Sequence, residues 1–289
     1  VMMAKTKPKE ILSVSLQLHP NIQSLVIIEL LYKGDIMNKN AVTAGEYFLQ
    51  QQITCTDFLQ PFTRKKDAED LHKLRVAVKK IKAVLLMLSK LQAHFDFDKH
   101  YAPYKNIFRQ LGPIREEILH AERLKKDAGN KLVNTGSSAI VAGFNKELSV
   151  LAQGYLKAIQ EELPVIVACL HKLDREKIYP YCEKLLKRLK SKWKDIKKDK
   201  ELHKYRKLLK QFLYCSNLLT PEEKSKLLLA KEYKQLDKLQ DLIGAWHDNV
   251  LLMDKIENEG LKVSPQFLLS LRKETKSMKE KIYRRGNKL

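Results

Sequence analysis

The chain has 289 residues, enough for one large or two ordinary domains with real cores. Lys and Arg number 55 against 34 Asp and Glu, a net charge of +21, and such self-repulsion points to a polyanionic partner: DNA, RNA, an anionic membrane surface or a phosphate polymer. The four cysteines, Cys55, Cys169, Cys182 and Cys215, form no C-x-x-C pair, so they are expected as small core residues in a reducing cytoplasm rather than as a zinc site or a disulfide framework.

In chain order, residues 1–36 come first and read as an extension outside the domain. Their apolar run, IQSLVIIELLY over 22–32, is broken by Glu29 and falls well short of the ~20 apolar residues of a membrane span. Lys5, Lys7 and Lys9 lie far from that run and no small-x-small pattern follows it, so neither export nor a membrane span is expected. From Met37 to the end, apolar residues recur at three and four spacing and glycine is scarce, the pattern of an all-α domain. Helices are predicted near 41–62, 67–93, 99–127, 138–171, 175–197, 200–219, 222–258 and 265–284. Breakers at Pro61, Pro103, Gly129, Gly136, Pro221 and Gly260 fall at or near the joints. Thr220, followed by Pro221 and Glu223, reads as an N-cap with proline in the first helical position. Eight helices suggest two bundles.

An internal repeat carries the most information. Leu71-His72-Lys73-Leu74-Arg75 returns as Leu202-His203-Lys204-Tyr205-Arg206, with Lys79 answered by Lys210, roughly 130 residues later. Leu111-Gly112-Pro113-Ile114-Arg115-Glu116 is answered, in the same order, by Ile243-Gly244-Ala245-Trp246-His247-Asp248. The reading is two four-helix bundles over about 40–170 and 175–289, related by duplication and a pseudo-two-fold axis.

At ~100° per residue, His72, Arg75, Lys79 and Lys82 fall within an arc of roughly 80°, while Leu74, Val78, Ile81, Leu85 and Leu88 take the opposite side. His203, Arg206, Lys207 and Lys210 form a shorter stripe of the same kind. A single cationic stripe is usually a solvated face. A histidine heading both stripes, with arginine three residues later each time, favours binding over solubility, with the two stripes facing one another across a groove.

These residues resemble the CHAD family, the conserved histidine α-helical domains. The first-half motif is matched by His72, Arg75, Lys79, Lys80 and Lys82, and the second-half motif by His203, Arg206, Lys207, Lys210 and Tyr214. The family's Leu-Gln, Gly and His-Asp segment is similar to Leu239-Gln240, Gly244 and His247-Asp248, and its first-half counterpart to Arg115-Glu116. The resemblance runs from about residue 40 to the C-terminus. It implies paired helical bundles around a basic cleft or pore that binds inorganic polyphosphate, in the cytoplasm or at polyphosphate granules. Lysines replace arginine at 79, 80 and 82, Leu213 stands where a basic residue is common, and Glu116 replaces Asp. Lysine keeps the charge but loses the bidentate fork that suits phosphate.

On this reading Arg75 and Arg206 grip phosphate, Lys79, Lys80, Lys82, Lys207 and Lys210 add point charges, and Arg115 and His247 complete the set. His72, His203 and His247 read equally well as ligand contacts or as structural histidines. No catalysis, cofactor or metal is expected. The remaining histidines (19, 94, 100, 120 and 171) lack metal-ligand spacing, no phosphate-binding glycine loop or nucleophile elbow occurs, and Trp193 and Trp246 read as core. The CYTH triphosphatase domain often joined to this family needs Glu-x-Glu-x-Lys, and the nearest string, from Glu257 to Leu261, lacks the lysine. A nucleic-acid binder using the same field is the alternative, disfavoured because the stripes carry almost no aromatic groups for stacking.

Overall fold

A computed structural model describes residues 42–65, 67–128, 145–196, 198–258, 260–261 and 263–288. The extension read at residues 1–36, and the start of the helix read from 138, lie outside the described residues. Those described residues belong to one compact unit, Val42–Leu289. It is all-helical: α1 Ala44–Lys65, α2 Ala68–Leu91, α3 Phe97–Ala128, α4 Asn145–His171, α5 Ile178–Lys194, α6 Asp199–Cys215, α7 Pro221–Leu227, α8 Ala230–Asn258 and α9 Pro265–Gly286. Short 3₁₀ turns, Arg175–Lys177 and Ser216–Leu218, precede α5 and follow α6.

Local chemistry fixes the helix starts. Thr43 and Glu46 close a reciprocal cap on α1, with Thr43 N donating to Glu46 Oε2 (2.6 Å) and Glu46 N to Thr43 Oγ1 (3.1 Å). The Asp67 carboxylate accepts from the backbone of Glu69 and Asp70 at the start of α2. The expected cap at Thr220, with Pro221 first and Glu223 reaching back, opens α7.

The helix predicted over 222–258 is two helices, α7 and α8. Leu228 adopts an extended conformation and is buried, and the Glu232 carboxylate accepts from Leu229 N to begin α8. Burying Leu228 beside Leu186, Leu189 and Tyr205 outweighs the helical propensity of the segment. Similarly, α1 runs on through position 61 to Lys65.

Two rings of helices result. α1 packs on α2, α2 on α3, α3 on α4, and α4 returns to α1. In the second half α5 packs on α6, α6 on α8 and α8 on α9. Trp193 of α5 closes that ring: its indole N–H donates to Asn287 Oδ1 just past α9 (2.9 Å), and its ring lies where a Cβ on Gly286 would stand. Trp193 and Trp246 are both core residues, as are Cys55, Cys182 and Cys215, whereas Cys169 is half-buried.

The halves meet where α2 packs on α6. α2 is therefore enclosed on three sides, by α1, α3 and α6. Leu74, Val78, Ile81, Leu85 and Leu88 are fully buried, each contributing ~1.5–3 kcal/mol of apolar transfer. Ion pairs Lys255–Glu117 and Arg123–Glu274 tie α8 and α9 to α3.

Candidate functional site

Because α2 is hemmed in, Arg75, Lys79 and Lys82 are half-buried rather than in open water. Arg75 is half-buried, and its Nη1 donates to the Phe108 carbonyl of α3 (2.8 Å) while its guanidinium lies 3.9 Å from the centre of the Phe108 ring. Arg206 repeats the arrangement in the second half. It donates from Nε to the Gln240 carbonyl of α8 (3.0 Å). In both cases the acceptor lies one helical turn before a glycine of the repeated segment, Gly112 or Gly244, and the guanidinium rests against that glycine.

The two arginines share one neighbourhood with Lys79 and Lys210. Lys79 is pushed down to about 7, by burial first and then by the charges of Lys210, Arg75 and Arg206, with Asp248 opposing. Lys210 falls to about 8 for burial and for Arg206, with Asp241, Asp248 and Asp237 opposing. Arg75 is lowered to about 10, again chiefly by burial, with Arg115 adding to the fall and Glu116 resisting it. Lys82 joins from the next turn of α2 and is lowered by burial and by Lys207 and Lys105. The two stripes therefore converge. Arg115 sits in the same field, lowering both Arg75 and His72.

Lys80 stands apart. One residue on from Lys79 turns its side chain to the α1 side of α2, where it lines an open groove of about 370 Å³ with Gln50, Gln51, Thr54, His72 and Lys73. His72 is at the boundary: it lines that groove, yet its pKa is lowered by burial and by Arg115, Lys79 and Lys210. His203 and His247 face each other with ring centres 4.6 Å apart. Burial, followed by His247, Lys207 and Arg206, brings His203 down to about 4, so it is neutral near pH 7. Its Nδ1 has no hydrogen-bond partner among the described residues. His247 is also lowered, by burial and Arg206, against the opposing pull of Asp248.

Three contributors escaped the sequence reading. The first is aromatic: Phe108 lies under Arg75 and, at 5.5 Å, under Lys79, while Tyr101 lies under Lys82 at 5.4 Å. These rings come from α3, so inspection of the basic helices alone could not reveal them. The second is acidic: Asp237 and Asp241 of α8 join Asp248, already part of the repeated segment, in facing Arg206 and Lys210. Their spacing of four and seven residues places them on one helix face, a signal present in the sequence. The third is the pair of carbonyls with their glycines, for which the repeated glycine was the trace.

Among the described residues no group of three or more His, Cys, Asp or Glu could hold a metal ion, and no helix is long and apolar enough to cross a membrane. What the site can do chemically is bind anions: several half-buried cations converge and outnumber the carboxylates that face them.

Comparison with known proteins agrees in fold. No curated protein sequence matches the chain. The crystal structure of the CHAD domain from the plant Ricinus communis superposes with a TM-score of 0.55 at 16% identity, covering 88% of this chain and 94% of that one. The family model of the CHAD domain matches residues 54–257, which take in both basic helices and both glycine segments. By that match, the chain belongs to the CHAD family.

Proposed function

We propose that the protein binds inorganic polyphosphate, without turning it over, where the cations of α2 and α6 converge. The observation that carries this reading is Lys79: a half-buried lysine set among Lys210, Arg75 and Arg206 is unfavourable for the free protein, and a polyanion removes the penalty. A linear phosphate chain offers closely spaced charges to Arg75, Lys79, Lys82, Arg115, Arg206, Lys207 and Lys210 in one passage. Each arginine has further N–H groups beyond the one spent on a helix carbonyl, and these suit phosphate oxygens. Lys80 acts from the neighbouring groove as an outlying charge, and His72 beside it, its pKa lowered by burial and by Arg115, as an uncharged polar group.

The nucleic-acid alternative loses support here. The aromatic groups of the site, Phe108 and Tyr101, have cations over their rings, and Tyr101 is buried, so they are platforms for lysine and arginine rather than for bases. Competition distinguishes the two. Single-stranded RNA at equal charge concentration is expected to leave bound polyphosphate in place, and displacement would favour the alternative. Incubation with polyphosphate and magnesium or manganese is expected to release no phosphate, and metal-dependent release would make the protein an enzyme.

A further inference from the structure

We propose that Gly244 and the Gln240 carbonyl position Arg206 for its anionic ligand, and that Gly112 and the Phe108 carbonyl hold Arg75 in the same way but more loosely. This rests on the anion-binding reading of the site and adds to it the groups that aim the arginines.

Glycine in the body of a helix is unfavourable relative to alanine, so a glycine repeated at the same place in both halves calls for a cause. Its surroundings supply one. A Cβ on Gly244 would overlap the Arg206 guanidinium, standing 2.9 Å from Cζ and 3.1 Å from Nε, and all three nearest atoms belong to Arg206. No helix backbone or apolar side chain is nearer, so this glycine makes room for the arginine rather than for helix packing. One turn earlier, the Gln240 carbonyl takes the Arg206 Nε proton at 3.0 Å. Wall and acceptor together fix the plane of the guanidinium and leave its terminal N–H groups for a ligand.

The first half has the same parts at a looser fit. A Cβ on Gly112 would stand 3.9 Å from Arg75 Nη1, an ordinary contact. Arg75 also spends a terminal Nη1 proton on its carbonyl, whereas Arg206 spends Nε. The Phe108 ring below supplies part of the positioning that the glycine does not.

The test compares polyphosphate affinity and thermal melting for the wild type, Gly244→Ala, Arg206→Ala and the double variant. Gly244→Ala is expected to weaken binding on the order of tenfold, as befits a misplaced charge-assisted contact, and to add nothing once Arg206 is already alanine. Its melting temperature should not fall, because alanine favours the helix and only the tip of Arg206 must swing aside. Gly112→Ala is expected to lose less affinity than Gly244→Ala. Wild-type affinity in Gly244→Ala would overturn the proposal, as would an equal further loss, of affinity or of melting temperature, in the Arg206→Ala background, which would make Gly244 a packing residue. A ligand-free readout separates this from the functional reading. The Arg206 Nε–Hε NMR signal should be slow to exchange in the wild type and fast in Gly244→Ala. If it behaves so while polyphosphate fails to bind at all, the ligand assignment falls and the positioning stands; if it is unchanged, the positioning falls whatever binds.

Discussion

The first-half basic helix, α2, sets its cations over rings, with Arg75 and Lys79 on Phe108 and Lys82 on Tyr101. Its second-half counterpart, α6, sets Arg206 and Lys210 against a row of carboxylates, Asp237, Asp241 and Asp248. The repeat thus preserves the positive groups while their compensation differs. Rings attract a cation weakly, whereas a carboxylate offsets its charge directly. Burial is the first cause that lowers both Lys79, to about 7, and Lys210, to about 8; beyond it, Lys79 meets three cations and one opposing carboxylate, Asp248 of the other half, whereas Lys210 meets three carboxylates. A ligand gains most where compensation is poorest, so the first half is expected to contribute the larger share of affinity.

The largest effect should come from removing both arginines. Arg75→Ala with Arg206→Ala is expected to weaken polyphosphate binding by on the order of a hundredfold at low salt, since each charge-assisted contact is worth roughly tenfold. Melting should change little, because lost hydrogen bonds are offset by relieved repulsion. Next, Lys79→Met should cost about tenfold in affinity and more than Lys210→Met, while raising the melting temperature of the free protein; equal losses at the two positions would erase the proposed difference between the halves.

The pH dependence follows from the same two lysines. Both have folded-state pKa values below the unfolded value, so between about 7 and the ordinary lysine range the unfolded chain holds more protons, and the ligand-free protein should gain stability as pH rises through that window. A bound polyanion is expected to raise these pKa values. Affinity should therefore fall as pH rises from about 7 to 9, and calorimetry at pH 8 in buffers of different ionisation enthalpy should register proton uptake on binding. His203, at about 4 in the free protein, leaves little charge to lose above pH 6. The smallest effect is expected from Asp241→Asn, which should tighten binding a few-fold by removing a carboxylate that competes for Lys210 and Arg206.

Much of this was legible in the residues. The helical period, the cap at Thr220 and the duplicated His-x-x-Arg stripe follow from spacing alone, because they depend on a single helix at a time. The family motif brings Lys80 into the binding set, yet at ~100° per residue it falls outside the arc of His72, Arg75, Lys79 and Lys82, and the structure turns it to the other groove. What could not be read depends on which helices meet. Phe108 lies under Arg75 because α3 packs on α2, and nothing in the α2 sequence reports that. The break at Leu228 and Leu229 carries no glycine or proline, and arises from the burial of Leu228 and the cap by Glu232. The contacts of Gly112 and Gly244 depend on where the Arg75 and Arg206 side chains lie, which spacing along one helix does not report.

The central claim, that cations from both halves engage one phosphate chain, is tested most directly by titrating long-chain polyphosphate across a salt series for the wild type, Arg75→Ala, Arg206→Ala and the double variant. The logarithm of the binding constant should fall linearly with the logarithm of salt concentration, each single variant losing about one phosphate contact's worth of slope and the double variant about two. An unchanged slope in all three variants, or no binding by the wild type even at low salt, would contradict it.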